Sequence, residues 1–114
     1  MNIDGINMMS AINLFNQALL LRKMRDSLAA SQIGRVVFVG SESQTFVENV
    51  TRALDFENIC TDVDNYYSMD CYGGSKLMSN LYCKSLSRKW KDVFPVSINP
   101  GDIGTGIADW AYNE

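Results

Sequence analysis

Residues 34–41 read Gly-Arg-Val-Val-Phe-Val-Gly-Ser, and residues 93–98 read Val-Phe-Pro-Val-Ser-Ile. The first run is nearly all β-branched or aromatic from Val36 to Val39, and Gly40 closes it. That pattern predicts a short strand buried on both faces, as in a parallel sheet. The second run predicts another strand, interrupted by Pro95. Proline cannot donate to a ladder, so Pro95 is expected at the strand's start. Upstream, residues 6–28 carry two apolar stripes, Ile12-Phe15-Leu19 and Leu14-Ala18-Leu21. They predict a helix buried on more than one side. Arg22, Lys23 and Arg25 suit its C-terminal end. Between the strands, Met78, Tyr82, Leu86 and Trp90 recur every four residues, with Leu77 and Leu81 beside them. This predicts a helix over 72–91, with Gly73 and Gly74 in its first turns, since each costs up to about 1 kcal/mol in a helix interior. Residues 41–65 are polar and irregular, with a short helix near 48–54; so long a connection either carries function or is partly mobile.

The order is helix, strand, helix, strand. Parallel strands joined by a crossover helix make an α/β layered sheet. In such sheets ligands gather at the carboxyl ends of the strands. Here those ends are Val39-Gly40-Ser41 and Asn99-Pro100-Gly101.

Composition narrows the chemistry. The 114 residues carry 10 Lys and Arg against 13 Asp and Glu, a net charge of −3. This mild acidity argues against nucleic acid as the principal partner. There is no histidine, which removes Ser-His-Asp and Cys-His mechanisms and histidine metal sites. Proton transfer must then use Tyr, Lys, Asp, Glu or Cys. Cys60, Cys71 and Cys83 form no C-x-x-C pair, and their odd number fits no closed disulfide framework. They read as thiols of a reducing compartment, in a protein that is cytoplasmic or organelle-associated and not secreted. The longest apolar run is four residues, Ala18–Leu21, so no membrane span or signal peptide is read. Asn49-Val50-Thr51 is then a chance sequon. No metal site is expected.

Tyr72 and Lys76 lie four apart and so share a helix face. A phenol is a poor base at neutral pH, and a nearby ammonium favours its phenolate. Such a pair can exchange a proton with a carbonyl/alcohol couple. A hydroxyl at a neighbouring strand end, such as Ser41, can hold the reacting oxygen. Alone, the pair equally describes a solvated helix face.

Four elements occur in order: Asn13 within Ile-Asn-Leu, the strand ending Gly40-Ser41, Tyr72-Gly-Gly-Ser-Lys76, and Asn99-Pro-Gly-Asp-Ile-Gly-Thr105. Together they resemble the short-chain dehydrogenase/reductase family. Asp4-Gly5-Ile6, the long 41–72 stretch and Tyr-x-x-Ser-Lys-Leu are similar to its retinol-dehydrogenase-like branch. The resemblance implies a partial Rossmann-like, doubly wound parallel sheet, with residues 1–114 forming its central to C-terminal part. It implies Tyr72 as general acid/base, Lys76 as the residue that supports it and bonds the nicotinamide ribose, and Ser41 as the group orienting the substrate oxygen. Asn13 would anchor a water and the lysine in a proton relay. Pro100, Gly101 and Thr105 would form the loop over the nicotinamide. In the family, helices like those at 6–28 and 72–91 commonly pair in a homodimer.

The chain departs from the pattern at Phe38, where an asparagine is frequent, at Gly40, where a serine is frequent, and at Asn16, where the branch often has glycine. None of these is a tetrad position. The family's glycine-rich cofactor turn is absent from these residues, as is the residue choosing between NAD and NADP. The expectation is therefore the catalytic half of an NAD- or NADP-dependent oxidoreductase acting on a small alcohol or carbonyl, inactive by itself. A non-catalytic interaction or dimerisation module derived from such an enzyme is the alternative. A hydrolase is disfavoured, because no base activates Ser41 and no G-x-S-x-G surrounds it.

Overall fold

The computed structural model describes residues 2–3, 6–47, 50–53 and 68–104. Two short strands, β1 (Asn2–Ile3) and β2 (Ile6–Asn7), pair antiparallel. Asn7 then caps the first helix, its side chain accepting from the Met9 amide at 2.9 Å, which satisfies an amide that has no partner inside the helix. Helix α1 (Met8–Ser10) runs through a π turn, Ala11–Phe15, into α2 (Asn16–Ala30). The helical stretch thus begins two residues later than the apolar pattern suggests and ends two later, because Ile6 and Asn7 are taken by β2.

Strand β3 (Arg35–Val39) pairs in parallel with β4 (Phe94–Ile98), from Arg35 opposite Phe94 to Val39 opposite Ile98. Between them come a 3₁₀ turn (Glu42–Phe46), α3 (Val50–Ala53) and α4 (Ser68–Lys89). Helix α4 starts four residues before Tyr72, which leaves Gly73 and Gly74 in its second turn. The result is an α/β arrangement, a small parallel sheet with helices packed on it.

Pro95 is the second residue of β4 rather than its first, and it is buried. Phe94 donates to the Gly34 carbonyl at 2.7 Å. In a parallel ladder alternate residues face the partner, so the Pro95 nitrogen points away from β3 and the pairing loses no bond.

The expectation of a strand buried on both faces is corrected. Phe38 is 4% exposed, whereas Val37 and Val39 are 50% and 56% exposed. Side chains alternate across a strand, and here the helices cover the Phe38 face alone. Burial of the first helix on more than one side is corrected too. Leu21 is buried, but Ile12, Leu19 and Leu20 are exposed. In α4 the Cys83 and Leu86 side chains face inward, while Leu81 is exposed.

The core joins Leu21 of α2, Phe38 of β3, and Cys83 and Leu86 of α4, with Leu28, Val36, Tyr82 and Trp90 against them. Phe38 meets Tyr82 edge to face, with ring centres 6.1 Å apart, a favoured aromatic geometry. At the sheet entrance a Cβ on Gly34 would collide with the Leu28 carbonyl, so the chain leaving α2 can turn into β3 only with glycine there.

Burial pushes the Cys83 thiol up from its ordinary value of 9.0. Burial also raises the Tyr82 phenol, with Arg22 opposing it. For both groups the folded state holds its proton longer than the unfolded chain. Their contribution to stability is complete below the unfolded-state values and declines as pH rises through the folded-state ones. The urea midpoint is therefore expected to be lower at pH 10 than at pH 7, and the fall between pH 8.5 and 10 to be smaller in Cys83→Val. Identical pH profiles for parent and variant would contradict this assignment.

Candidate active site

Lys76 is held at the carboxyl end of β3, and Ser41 follows that end after Gly40. Lys76 reaches from α4 to the end of β3, its Nζ donating to the Val39 carbonyl at 2.9 Å. The same Nζ lies 5.6 Å from the Tyr72 ring centre, one helical turn away. One bond to Val39 leaves two ammonium protons for other acceptors. Beyond Val39 the Gly40 amide donates to the Ile98 carbonyl at 2.7 Å, so the ladder continues to the edge of the site.

Ser41 follows at once and caps the 3₁₀ turn. Its Oγ accepts from the Ser43 amide at 3.2 Å and lies 2.9 Å from Ser43 Oγ. This turn packs directly on α4. A Cβ on Gly73 would sit 2.5 Å from the Ser43 carbonyl oxygen and 3.1 Å from Val47. Glycine beside Tyr72 therefore lets the backbone carrying Ser41 approach the helix carrying Tyr72 and Lys76. Asn80 of α4 donates to Gln44 on the same turn. Gly73→Ala is expected to cost about 1–3 kcal/mol, the usual range for overpacking, and to loosen the 41–47 segment. Thermal unfolding and hydrogen exchange at residues 42–46 check this; unchanged protection there would contradict it.

Asn13 lies in the π turn, a feature that recurs at functional sites. Its Nδ2 donates to Ser75 Oγ at 2.9 Å, and its own carbonyl accepts from Ser79 Oγ at 2.5 Å. Ser75 Oγ in turn donates to the Tyr72 carbonyl at 2.7 Å. Ser75 is fully buried, 0% exposed. The hydrogen bonds thus run from Asn13 through Ser75 to the backbone of Tyr72, while Lys76 is held by Val39. Among the described residues no buried side-chain nitrogen or oxygen lacks a partner.

At the end of β4, Asn99 and Pro100 are exposed and Gly101 has φ +75°. The Gly101 amide donates to Asn99 Oδ1 at 3.3 Å, closing a tight turn that favours glycine. Thr105 lies outside the described residues. Among the described residues no group of His, Cys, Asp and Glu could hold a metal ion.

Ser75 belongs to the Tyr72-x-x-Ser75-Lys76 motif but is given no role by it, and Ser79 is not singled out by motif reading at all. Tyr72, Ser75, Lys76 and Ser79 recur at helical spacing along one side of the helix. The π turn has no comparable sequence signal.

Against known proteins, the chain is 31% identical over 104 residues to the WW domain-containing oxidoreductase of Gallus gallus, an alignment covering 88% of this chain and 25% of that protein. It is 29% identical to the "Putative daunorubicin C-13 ketoreductase DnrU" of Streptomyces sp. (strain C5), covering 91% of this chain and 33% of the relative. The human WW domain-containing oxidoreductase is 28% identical, covering 88% and 25%. The chain is similar to oxidoreductases. These similarities support an oxidoreductase family of the short-chain dehydrogenase/reductase kind. The chain spans a quarter to a third of the length of these relatives. No family model matches it, and no solved structure matches it significantly. No described helix is long and apolar enough to cross a membrane.

Proposed function

We propose that this chain is the catalytic part of an oxidoreductase that interconverts an alcohol and a carbonyl with NAD or NADP. The observation that carries the proposal is the seating of Tyr72 and Lys76. They share one face of α4 at the carboxyl end of β3, with Nζ 5.6 Å from the phenol ring and anchored on Val39.

The residues present suit the nicotinamide–ribose end of a dinucleotide. Lys76 retains donors for ribose hydroxyls, and the Asn99–Gly101 turn is exposed, with no atom of the described residues within 4 Å of a Cβ placed on Gly101. When bound, such a cofactor donates or accepts the hydride. The rest of the work falls to the side chains. The Tyr72 hydroxyl gives its proton to the carbonyl oxygen in the reducing direction and takes it back in oxidation. The Lys76 ammonium lies 5.6 Å from the Tyr72 ring centre, beside the group that exchanges the proton. Ser41, held by its bonds to Ser43, offers a hydroxyl to the reacting oxygen and fixes its orientation. Asn13 and Ser75 hold the Tyr72 backbone, and through it the phenol. Membership in the retinol-dehydrogenase-like branch is part of the proposal; it rests on Asp4-Gly5-Ile6 and on Tyr72-x-x-Ser75-Lys76-Leu77.

The test is turnover by these residues joined to a glycine-rich dinucleotide-binding half, assayed with NADH and NADPH against aromatic diketones, aldehydes and retinal. Carbonyl-dependent oxidation of one dinucleotide is expected. Absence of dinucleotide-dependent turnover with every carbonyl would contradict the proposal.

A further inference from the structure

The net charge of −3 conceals a separation. Residues 22–35 and 84–94 contain eight of the ten Lys and Arg but only two of the thirteen acidic residues, Asp26 and Asp92. These segments carry +6, and the rest of the chain −9. The fold gathers both segments at one end. Arg25 bonds Asp92 at 2.5 Å and lies 5.0 Å over the Trp90 ring. Arg35 pairs with Phe94 in the sheet, and a Cβ on Gly34 would touch both Leu28 and Asp92. This end holds the amino ends of β3 and β4, opposite the candidate active site.

Its cations are mostly uncommitted. Arg25–Asp92 is the only ion pair among the described residues, and its hydrogen bond from Arg25 lowers the Asp92 pKa. Lys84, Arg88 and Lys89 line an open groove on α4 with Leu81 and Ser85. Two large apolar side chains stand out at the same end. Ile33 is 73% exposed on the turn before β3, and Phe94 is 63% exposed at the start of β4, directly beside Arg35. Ile33 sits on the turn between the basic segment of α2 and Arg35, and Phe94 projects beside Arg35 from the uncovered face of the sheet. An exposed apolar tip flanked by cations matches the boundary of an anionic bilayer, where the cations meet headgroups and the apolar tip enters the acyl edge. A single-stranded nucleic acid stacks successive bases on several aromatic side chains, and at this end Phe94 is the only largely exposed aromatic among the described residues. An acidic protein would answer the charge and leave Ile33 and Phe94 wet.

We infer that this end is a docking surface for a membrane rich in anionic lipid, which would leave the candidate active site facing away from the bilayer. The purified chain is sedimented with phosphatidylcholine vesicles containing or lacking 30% phosphatidylserine. Binding to the anionic vesicles alone is expected, falling steeply as salt is raised, because exposed cations are screened. The triple variant Lys84→Glu/Arg88→Glu/Lys89→Glu should weaken partitioning by about a hundredfold. Ile33→Ser should weaken it less and leave the salt dependence in place. Acidic residues at a helix C-terminus are unfavourable. If circular dichroism shows the triple variant unfolded, the glutamine versions, which only remove charge, replace it. Equal binding to neutral vesicles, unchanged binding by the folded triple variant, or capture by polyglutamate or single-stranded DNA without vesicle binding would overturn the inference.

Discussion

Tyr72→Phe is expected to lower kcat/KM for carbonyl reduction by about 10²–10⁴-fold, the range associated with a positioned general acid. The substitution removes one oxygen. The ring, and with it the 5.6 Å approach of Lys76 Nζ, is preserved. The Ser75 bond is made to the Tyr72 carbonyl rather than to the phenol, so the helix and the link to Asn13 also survive. The loss should therefore appear in kcat and leave the unfolding midpoint unchanged. Lys76→Met should lower kcat and raise KM for the dinucleotide together, because its ammonium serves the phenol and is available to the ribose. If Tyr72→Phe turns over like the parent, the pair belongs to an ordinary helix surface.

Phe38→Ala carries the largest expected cost in stability. Phe38 is 4% exposed and joins α2, β3 and α4 through Leu21, Tyr82, Cys83 and Leu86. Truncating a buried phenylalanine costs about 3–5 kcal/mol, through lost burial and the cavity left behind. Domains of this size are stable by only about 5–15 kcal/mol, so a large fraction goes. Val37→Ala, one residue away on the exposed face, should cost about 1 kcal/mol or less. Urea midpoints of the two variants measure the contrast, and equal losses would mean that β3 is covered on both sides. Because β3 also carries the Val39 carbonyl that anchors Lys76 and leads into Ser41, Phe38→Ala should impair turnover beyond its effect on the folded fraction.

That contrast marks where sequence reading stopped. A run of Val, Val, Phe and Val announces a strand and its parallel partner, because β-branched side chains suit a pleated surface. It does not announce which face is covered, since coverage depends on where α2 and α4 settle. The apolar stripes of residues 6–28 failed for the same reason: helical periodicity places Ile12 and Leu19 on a face without supplying a neighbour for it. Pro95 could be reconciled with β4 only once the register with β3 placed its nitrogen away from the ladder. In the site, Tyr72 and Lys76 were legible because four-residue spacing is a geometric statement. The bonds from Asn13 to Ser75 and from Ser79 to Asn13 were not, since they cross 62 and 66 residues between separate helices. Gly73 stood out only as an expense to helix α4; its use became visible with the Ser43 carbonyl packed against it.

The most direct test of the account is isotope transfer. The polypeptide carrying these residues is given reduced nicotinamide adenine dinucleotide phosphate, or its non-phosphorylated form, deuterated at both C4 positions, together with a carbonyl that it reduces. Mass spectrometry then locates the label in the alcohol. One deuterium is expected on the carbinol carbon with the parent sequence and, under the same conditions, little labelled alcohol with Tyr72→Phe. Alcohol formed without deuterium, or labelled equally by the parent and Tyr72→Phe, would contradict it.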